Sequence, residues 1–459
     1  MKKFSSFFPF LFTATFFCSC GSETKTPEKK DDSFVTFSTD IAPLIYKNCS
    51  PCHRPGQAGP FDLLSYNDVK KNANRIKFAT TTHFMPPWPA DPSYSNFIGE
   101  RVLTQNEIDL IKNWIENKMP VGDSTKIPSP PEFYNGSFFG KPDLVVRMQE
   151  IVKLKSGRDN FFMIKFPYEI AQDTFVCAIE FVPHKRKLIH HVNGHTISFD
   201  DNKKKNVYEG KNILPDMQEN FVPSFKEMGL ANDDGTFPLM TPNTVYYLPG
   251  FTPPQYPGDV GGYVLKKKGA FLLKNIHYGP SPEDVNDSSY INIFFTDKKP
   301  KRPIKEIQLG TFGVSVIEPA LEIPANQIKT FHTQWKVPVD ISLLSVNPHM
   351  HLLGKNFLAY AISPNGDTIK LIRINKWDFR WQYYYTFPSM KKIPAGSIMH
   401  AYATYDNTKE NLLNPFSPPQ LIKERKGTES MRTTEEMFQF IFTYVPYKAG
   451  DENVSLERK

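Results

Sequence analysis

The stretch "NPHMHLLGK", Asn347–Lys355, places His349 and His351 two residues apart between a proline and a glycine. On an extended strand, residues i and i+2 point to the same face, so two imidazoles reach one atom while Met350 points away. A partner for this pair stands in "EEMFQFIFTYVPY", Glu435–Tyr447. There Phe438, Phe440, Phe442 and Tyr444 form one strand face suited to a core, and Met437, Gln439, Ile441 and Thr443 form the other. Met437 heads that second face, where a thioether can meet the two imidazoles.

Around these strands the chain reads as β throughout. Short alternating runs such as "NFFMIKF", "WQYYYTF" and "HAYATY" are punctuated by Pro, Gly and Asn from about residue 142 onward. The composition agrees, with 40 Pro, 38 Phe and 20 Tyr in 459 residues. The charged "TDKKPKRP" near residue 300 divides this region into two units, 142–300 and 301–450, with a tail at 451–459. The net charge of +7 is spread over loops, and no basic stripe interleaved with aromatics is present. A nucleic-acid partner is therefore not expected.

The other histidines cluster as well. "KLIHHVNGH" carries His190 and His191, and "LLKNIHYGP" carries His277, all in the first β unit. Adjacent histidines splay to opposite faces of a regular strand, so convergence of His190 and His191 requires a bulge or strand end. Asn275, two residues before His277, is placed to support it.

N-terminal to the β units, "CSPCH" at Cys49–His53 has the C-x-x-C-H form of covalent haem attachment, with His53 as an axial ligand. Downstream, "THFMPPWPADPSY" resembles the Met-Pro-Pro loop of small class I cytochromes c, which makes Met85 the sixth ligand and His83 its competitor. In "LTQNEIDLIKNWIENKMPVGD", Thr104 and Glu107 predict a capping box, and Ile108, Ile111, Trp114 and Ile115 an apolar helix stripe. A cytochrome c-like domain is expected over 34–123, followed by a Pro-rich linker at 124–141.

The start, "MKKFSSFFPFLFTATFFCSC", has signal-peptide anatomy and ends like a bacterial lipobox. The expectation is a signal over 1–20, acylation of Cys20, a polar tether over 21–33, and an envelope lipoprotein facing periplasm or exterior. Cys18 leaves with the signal, Cys49 and Cys52 share one motif and Cys177 stands alone, so no intrachain disulfide is expected.

Taken in order, His190-His191, His277-Tyr278-Gly279, His349-Met350-His351-Leu352-Leu353-Gly354-Lys355 and Glu436-Met437 resemble the ligand motifs of a known family. These are the copper type II, ascorbate-dependent monooxygenases, which include the peptidylglycine α-hydroxylating and dopamine β-hydroxylating enzymes. The resemblance runs over roughly residues 142–450. It implies two antiparallel, jelly-roll-like β-sandwiches with one copper each. His190, His191 and His277 would hold the electron-transfer copper, and His349, His351 and Met437 the copper at which dioxygen is activated to hydroxylate a substrate C–H bond. The haem would then deliver or relay electrons from a reductant or redox protein.

Two departures bear on substrate. The peptide-amidating enzymes have an arginine where this chain has Asn347, and a tyrosine where it has Ile441. With Gln439, these residues predict a pocket for a small neutral molecule rather than a carboxylate. A non-enzymatic copper- and haem-holding envelope protein is the alternative.

Overall fold

The computed structural model describes residues 34–457, apart from 134–136, 216–220, 252, 255, 257–259, 261, 298 and 426–433. Cys20 and the tether therefore lie outside the described residues. Helices come first and antiparallel sheets follow. Among the described residues, no helix is long and apolar enough to cross a membrane.

A single π-helical turn, Phe37–Ile41, leads into the helix Ala42–Asn48, followed by Tyr66–Lys71, Ala73–Thr81 and Gln105–Glu116. The last begins with the expected capping box between Thr104 and Glu107 and buries Ile108, Ile111, Trp114 and Ile115. That stripe packs against Phe37, Ile41 and Ile45 in a small separate core.

The next region is two antiparallel sheets. In one, Leu144–Arg147, Tyr290–Phe295, Thr174–Val182 and Tyr263–Leu265 lie side by side in that order. In the other the order is Ile213–Pro215, Asn160–Glu169, Lys268–Tyr278, Ile189–Phe199 and Leu239–Tyr247. Both sheets turn aromatic and branched residues, Phe166, Phe181, Phe271 and Ile293 among them, into a shared core. One short helix not expected from sequence, Phe221–Glu227, covers a satellite core with Phe225 and Met228.

The last region repeats the plan. Lys305–Gly310, Gln439–Pro446, Ile341–His349 and Tyr385–Ile393 form one sheet, and Ile317–Glu318, Ile328–Lys336, Ile398–Asp406, Gly354–Ile362 and Thr368–Ile374 the other. Phe438, Phe440 and Phe442 enter its core with Phe331, Phe357 and Phe387, as their alternation predicts. The strand break at the charged stretch falls between Phe295 and Lys305. The stretch 451–457 does not trail away. Asp451 is buried, and its carboxylate accepts from Arg302 Nη1 at 2.7 Å and from Ser342 Oγ at 2.6 Å.

The helical region is not a bead ahead of two others. Its loop after Met85 straps across the last region: Ala90 bridges to Ile374, Asp91 pairs with Arg373 at 2.7 Å, and Ile98 N–H donates to Thr386 O at 2.8 Å. Trp88 and Phe97 join the core of the second pair of sheets. This strap brings the C-x-x-C-H segment over the junction of both β regions.

Candidate functional site

Helix Ala42–Asn48 runs directly into Cys49, and tight turns follow it. Cys52 N–H and His53 N–H both donate to Cys49 O, at 3.1 and 2.9 Å. The two thiols and the imidazole consequently line one cavity of about 350 Å³. His53 Nδ1 lies 3.1 Å from Phe61 O, so Nδ1 carries the proton and Nε2 keeps its lone pair. The turn tolerates no side chain at Gly59, where a Cβ would lie 2.8 Å from His53 Nδ1 and 2.7 Å from Cys52 O. Cys49, Cys52 and Cys177 are free thiols, and burial pushes the Cys49 thiol up to about 12. Met85 lines the cavity, while His83 is exposed outside its lining.

The charge of the lining is one-sided. Arg75, Arg101, Arg186, Lys187 and Arg380 border the cavity, and no carboxylate does among the described residues. Arg380 is matched by Asp378 at 2.6 Å, whereas among the described residues Arg101 has a polar contact to Cys52 Sγ at 3.8 Å. A half-enclosed cationic cavity favours an anionic occupant, which would offset the repulsion. Haem c would meet these features with two thioether links, an imidazole and a thioether for the iron, and two propionates for the cations, so the residues fit the group.

The three histidines open into this same cavity. Strand Ile189–Phe199 pairs with Lys268–Tyr278 so that Ile189 opposes Tyr278 and His191 opposes His277, with the register slipping past His190. The bulge demanded by adjacent histidines is therefore present, and it turns His190 toward its neighbours. Ring centroids lie 4.6 Å apart for His190 and His277 and 5.2 Å for His191 and His277. Gly279 explains the glycine after His277-Tyr278: a Cβ there would sit 2.5 Å from His190 Nε2. Phe161 stacks on His277 at 4.3 Å and holds its ring plane. Burial lowers the pKa of both His190 and His277, which favours the neutral, ligating form.

In the second β region, strand Ile341–His349 ends at His349, and His351 lies in the turn beyond it. Met350 between them is fully buried in the core, so the alternation read from sequence persists past the strand end. The two imidazoles stand edge to face, 5.1 Å between centroids. His349 Nδ1 is bonded to Gln382 Oε1, and His351 Nδ1 lies 2.7 Å from Glu435 O. Both rings are thus held with Nδ1 as donor and Nε2 as the lone-pair nitrogen. His349 Nε2 is buried with no partner, an orphan that a metal ion would satisfy. Burial pushes His349 down to about 4 and His351 down to about 3.

Glu436 ties this turn to Met437. Its carboxylate accepts from His351 N–H and Leu353 N–H, both at 2.8 Å, and from Met437 N–H at 3.3 Å. Burial pushes its carboxyl up to about 8, and the three backbone N–H groups pull the other way. Tyr405 OH donates to Met437 O at 2.7 Å from the opposite sheet. Met437 is buried at 4 % exposure beside the turn that carries His351. Two oriented imidazoles and a thioether on adjoining elements fit a soft Cu(I) site.

No protein-family model matches the chain, and no curated protein matches it. Among solved structures, an infectious bursal disease virus Gx strain structure is 9 % identical, with 70 % of this chain and 77 % of that one covered and a TM-score of 0.17. A structure of the Gt strain of the same virus is 11 % identical, with coverages of 69 % and 84 % and a TM-score of 0.15. Overlaps this slight carry no argument about fold or function.

The expected pocket residues are placed differently from an open wall. Asn347, Gln439 and Ile441 share the His349 side of their strands, but all three are buried. Asn347 Nδ2 donates to Tyr383 O at 2.9 Å, and Gln439 Nε2 to Thr311 O at 3.0 Å. Both amides are spent on backbone carbonyls, and packing closes the surface they were expected to offer. The Asn275 side chain lies outside the described residues.

Several residues escaped the sequence reading. Asp159 Oδ1 lies 2.7 Å from His277 Nε2, and the donor atoms of Asp159, His190 and His277 fall within 4.8 Å of one another. Gln382 orients His349, and Trp377 Nε1 donates to His351 O at 3.2 Å. Neither glutamine, aspartate nor tryptophan sits in a recognisable motif. Only the register Phe161↔His277 brings Asp159 near, and pairing register is not written in a lone turn.

Proposed function

We propose that the chain is a copper-dependent monooxygenase that hydroxylates a C–H bond of a small molecule with dioxygen and takes its electrons through a covalent haem c. On this reading residues 34–123 are a cytochrome c-like domain, and the two β regions are jelly-roll-like sandwiches that bind one copper each. The observation that carries it is convergence: Cys49, Cys52, His53 and Met85 share one cavity with His190, His191 and His277. A donor held beside its acceptor acts at high effective concentration, which a diffusing reductant does not match.

Copper, when bound, supplies the one-electron chemistry that dioxygen requires. The chain's own residues prepare for it. Gln382 and the Glu435 carbonyl select the tautomer that leaves Nε2 free on His349 and His351. Burial keeps both rings neutral. Met437 adds the soft ligand that favours Cu(I), and Asp159 holds the His277 ring. A small neutral or aromatic substrate is proposed on the absence of an arginine at position 347 alone, since the Asn347 and Gln439 amides are committed to backbone carbonyls. Cys20 would anchor the mature protein to the envelope by acylation, and the haem would receive its electrons from a soluble reductant or redox protein.

Oxygen uptake by the reduced, copper-loaded protein over a panel of small neutral compounds tests this reading. Uptake that depends on the compound and disappears in Met437→Ala supports a monooxygenase. Metal and electron exchange with no compound-dependent uptake would instead mark a copper- and haem-holding protein.

A further inference from the structure

We propose that the segment Asp378–Tyr383 is a positioning element through which occupancy of the haem cavity sets the copper affinity of the His349/His351 site. The inference rests on the function proposed above. It concerns a stretch, "DFRWQY", with no ligand motif and a contact to every part of the centre.

Toward the cavity, Phe379, Arg380 and Trp381 are part of its wall. Arg380 lies over the Phe84 ring at 5.2 Å, next to Met85, and Tyr383 OH donates to Pro87 O at 3.2 Å. Toward the second metal site, the Phe379 ring packs against His351 with centroids 5.8 Å apart, and Gln382 Oε1 accepts from His349 Nδ1. Gln382 Nε2 donates to Phe379 O at 2.8 Å, so its amide cannot flip without losing that bond. The Gln382 amide thereby links the position of Phe379 to the orientation of His349. Toward the first β region, Tyr246 OH donates to Gln382 O. Tyr246 opposes Asn193 on the strand that carries His190 and His191.

The consequence is physical rather than topological. Three residues that form a wall of a 350 Å³ cavity lose packing when it is empty and regain it when an apolar macrocycle fills it. Because Gln382 follows them directly, that packing limits how far the acceptor of His349 Nδ1 can drift. Partners that orient a ligating imidazole are worth about 10–100-fold in metal affinity. By linkage, whatever the haem contributes to copper binding, copper returns to the haem.

The test is a cuprous-ion titration of the full-length protein against a chromophoric Cu(I) chelator. A His190→Ala/His191→Ala background silences the other copper site. Gln382→Ala is expected to weaken binding about 10–100-fold. Gln382→Glu, which keeps an acceptor for Nδ1 but gives up the donor to Phe379 O, should bind more tightly than Gln382→Ala, an outcome that a purely structural role would not give. Removing the haem with Cys49→Ala/Cys52→Ala should weaken the same site by about 5-fold or more, the lower range of allosteric coupling. Equal affinity with and without haem overturns the coupling, and equal affinity of Gln382→Ala and parent overturns the positioning role. A parent that binds no Cu(I) at this site removes the metal assignment itself, and this inference with it.

Discussion

Replacing Glu436 with alanine removes one side chain and strands three backbone donors. His351, Leu353 and Met437 N–H groups all point at a carboxylate that is 0 % exposed, at 2.8, 2.8 and 3.3 Å. A buried donor left without a partner costs about 1–3 kcal/mol. The longest of the three contributes least, and the cavity admits some relaxation. The expected loss is therefore about 3–5 kcal/mol from the second β region, against a typical total of about 5–15 kcal/mol. Glu436→Gln keeps one carbonyl oxygen, which can serve two of the three donors, and should lose about 1–3 kcal/mol. Denaturant unfolding of the metal-free protein, with the transition of this region followed separately because a multi-region chain need not unfold in one step, measures both. A Glu436→Ala variant within about 0.5 kcal/mol of the parent would refute the claim that this carboxylate fastens the His351 turn to Met437.

Three other outcomes are expected. Burial holds His349 at about 4 and His351 at about 3, below the ordinary value near 6.5, so the unfolded chain takes up protons first. The melting temperature of metal-free protein should hold above about pH 6.5 and fall as pH drops toward 4, and a flat profile would contradict the burial of neutral rings. Met85→Ala should abolish the sulfur-ligated low-spin haem spectrum that His83→Ala leaves in place, because Met85 alone of the two lines the cavity. Cys20→Ser should release the protein from membranes into the soluble fraction, since single acyl groups and polar tethers offer no second anchor; retention would count against the lipobox.

Legibility followed the range of the interaction. The bulge at His190 could be foreseen because strand periodicity is local, and two adjacent histidines cannot otherwise share a face. The same holds for the capping box at Thr104 and Glu107 and for the aromatic stripe of Phe438, Phe440 and Phe442. The strap from Pro87 to Ile98, by contrast, docks on residues nearly 300 positions later, as in Ser93 to Arg373 with a separation of 280. No composition shift announces such a contact. Asn347 and Gln439 were correctly placed on the His349 side, yet their amides turned to Tyr383 O and Thr311 O. A backbone carbonyl needing a donor is invisible until the chain is folded around it.

On the proposed function one chain holds one haem and two coppers, with His190/His191/His277 and His349/His351/Met437 as separate copper sites. Haem and copper analysis of the purified full-length protein, beside Met437→Ala and His190→Ala/His191→Ala, tests it most directly. One covalent haem and two coppers are expected in the parent, with loss of copper from one site in each variant and no loss of the haem. A parent that saturates at a single copper, or two variants that empty the same site, would contradict it.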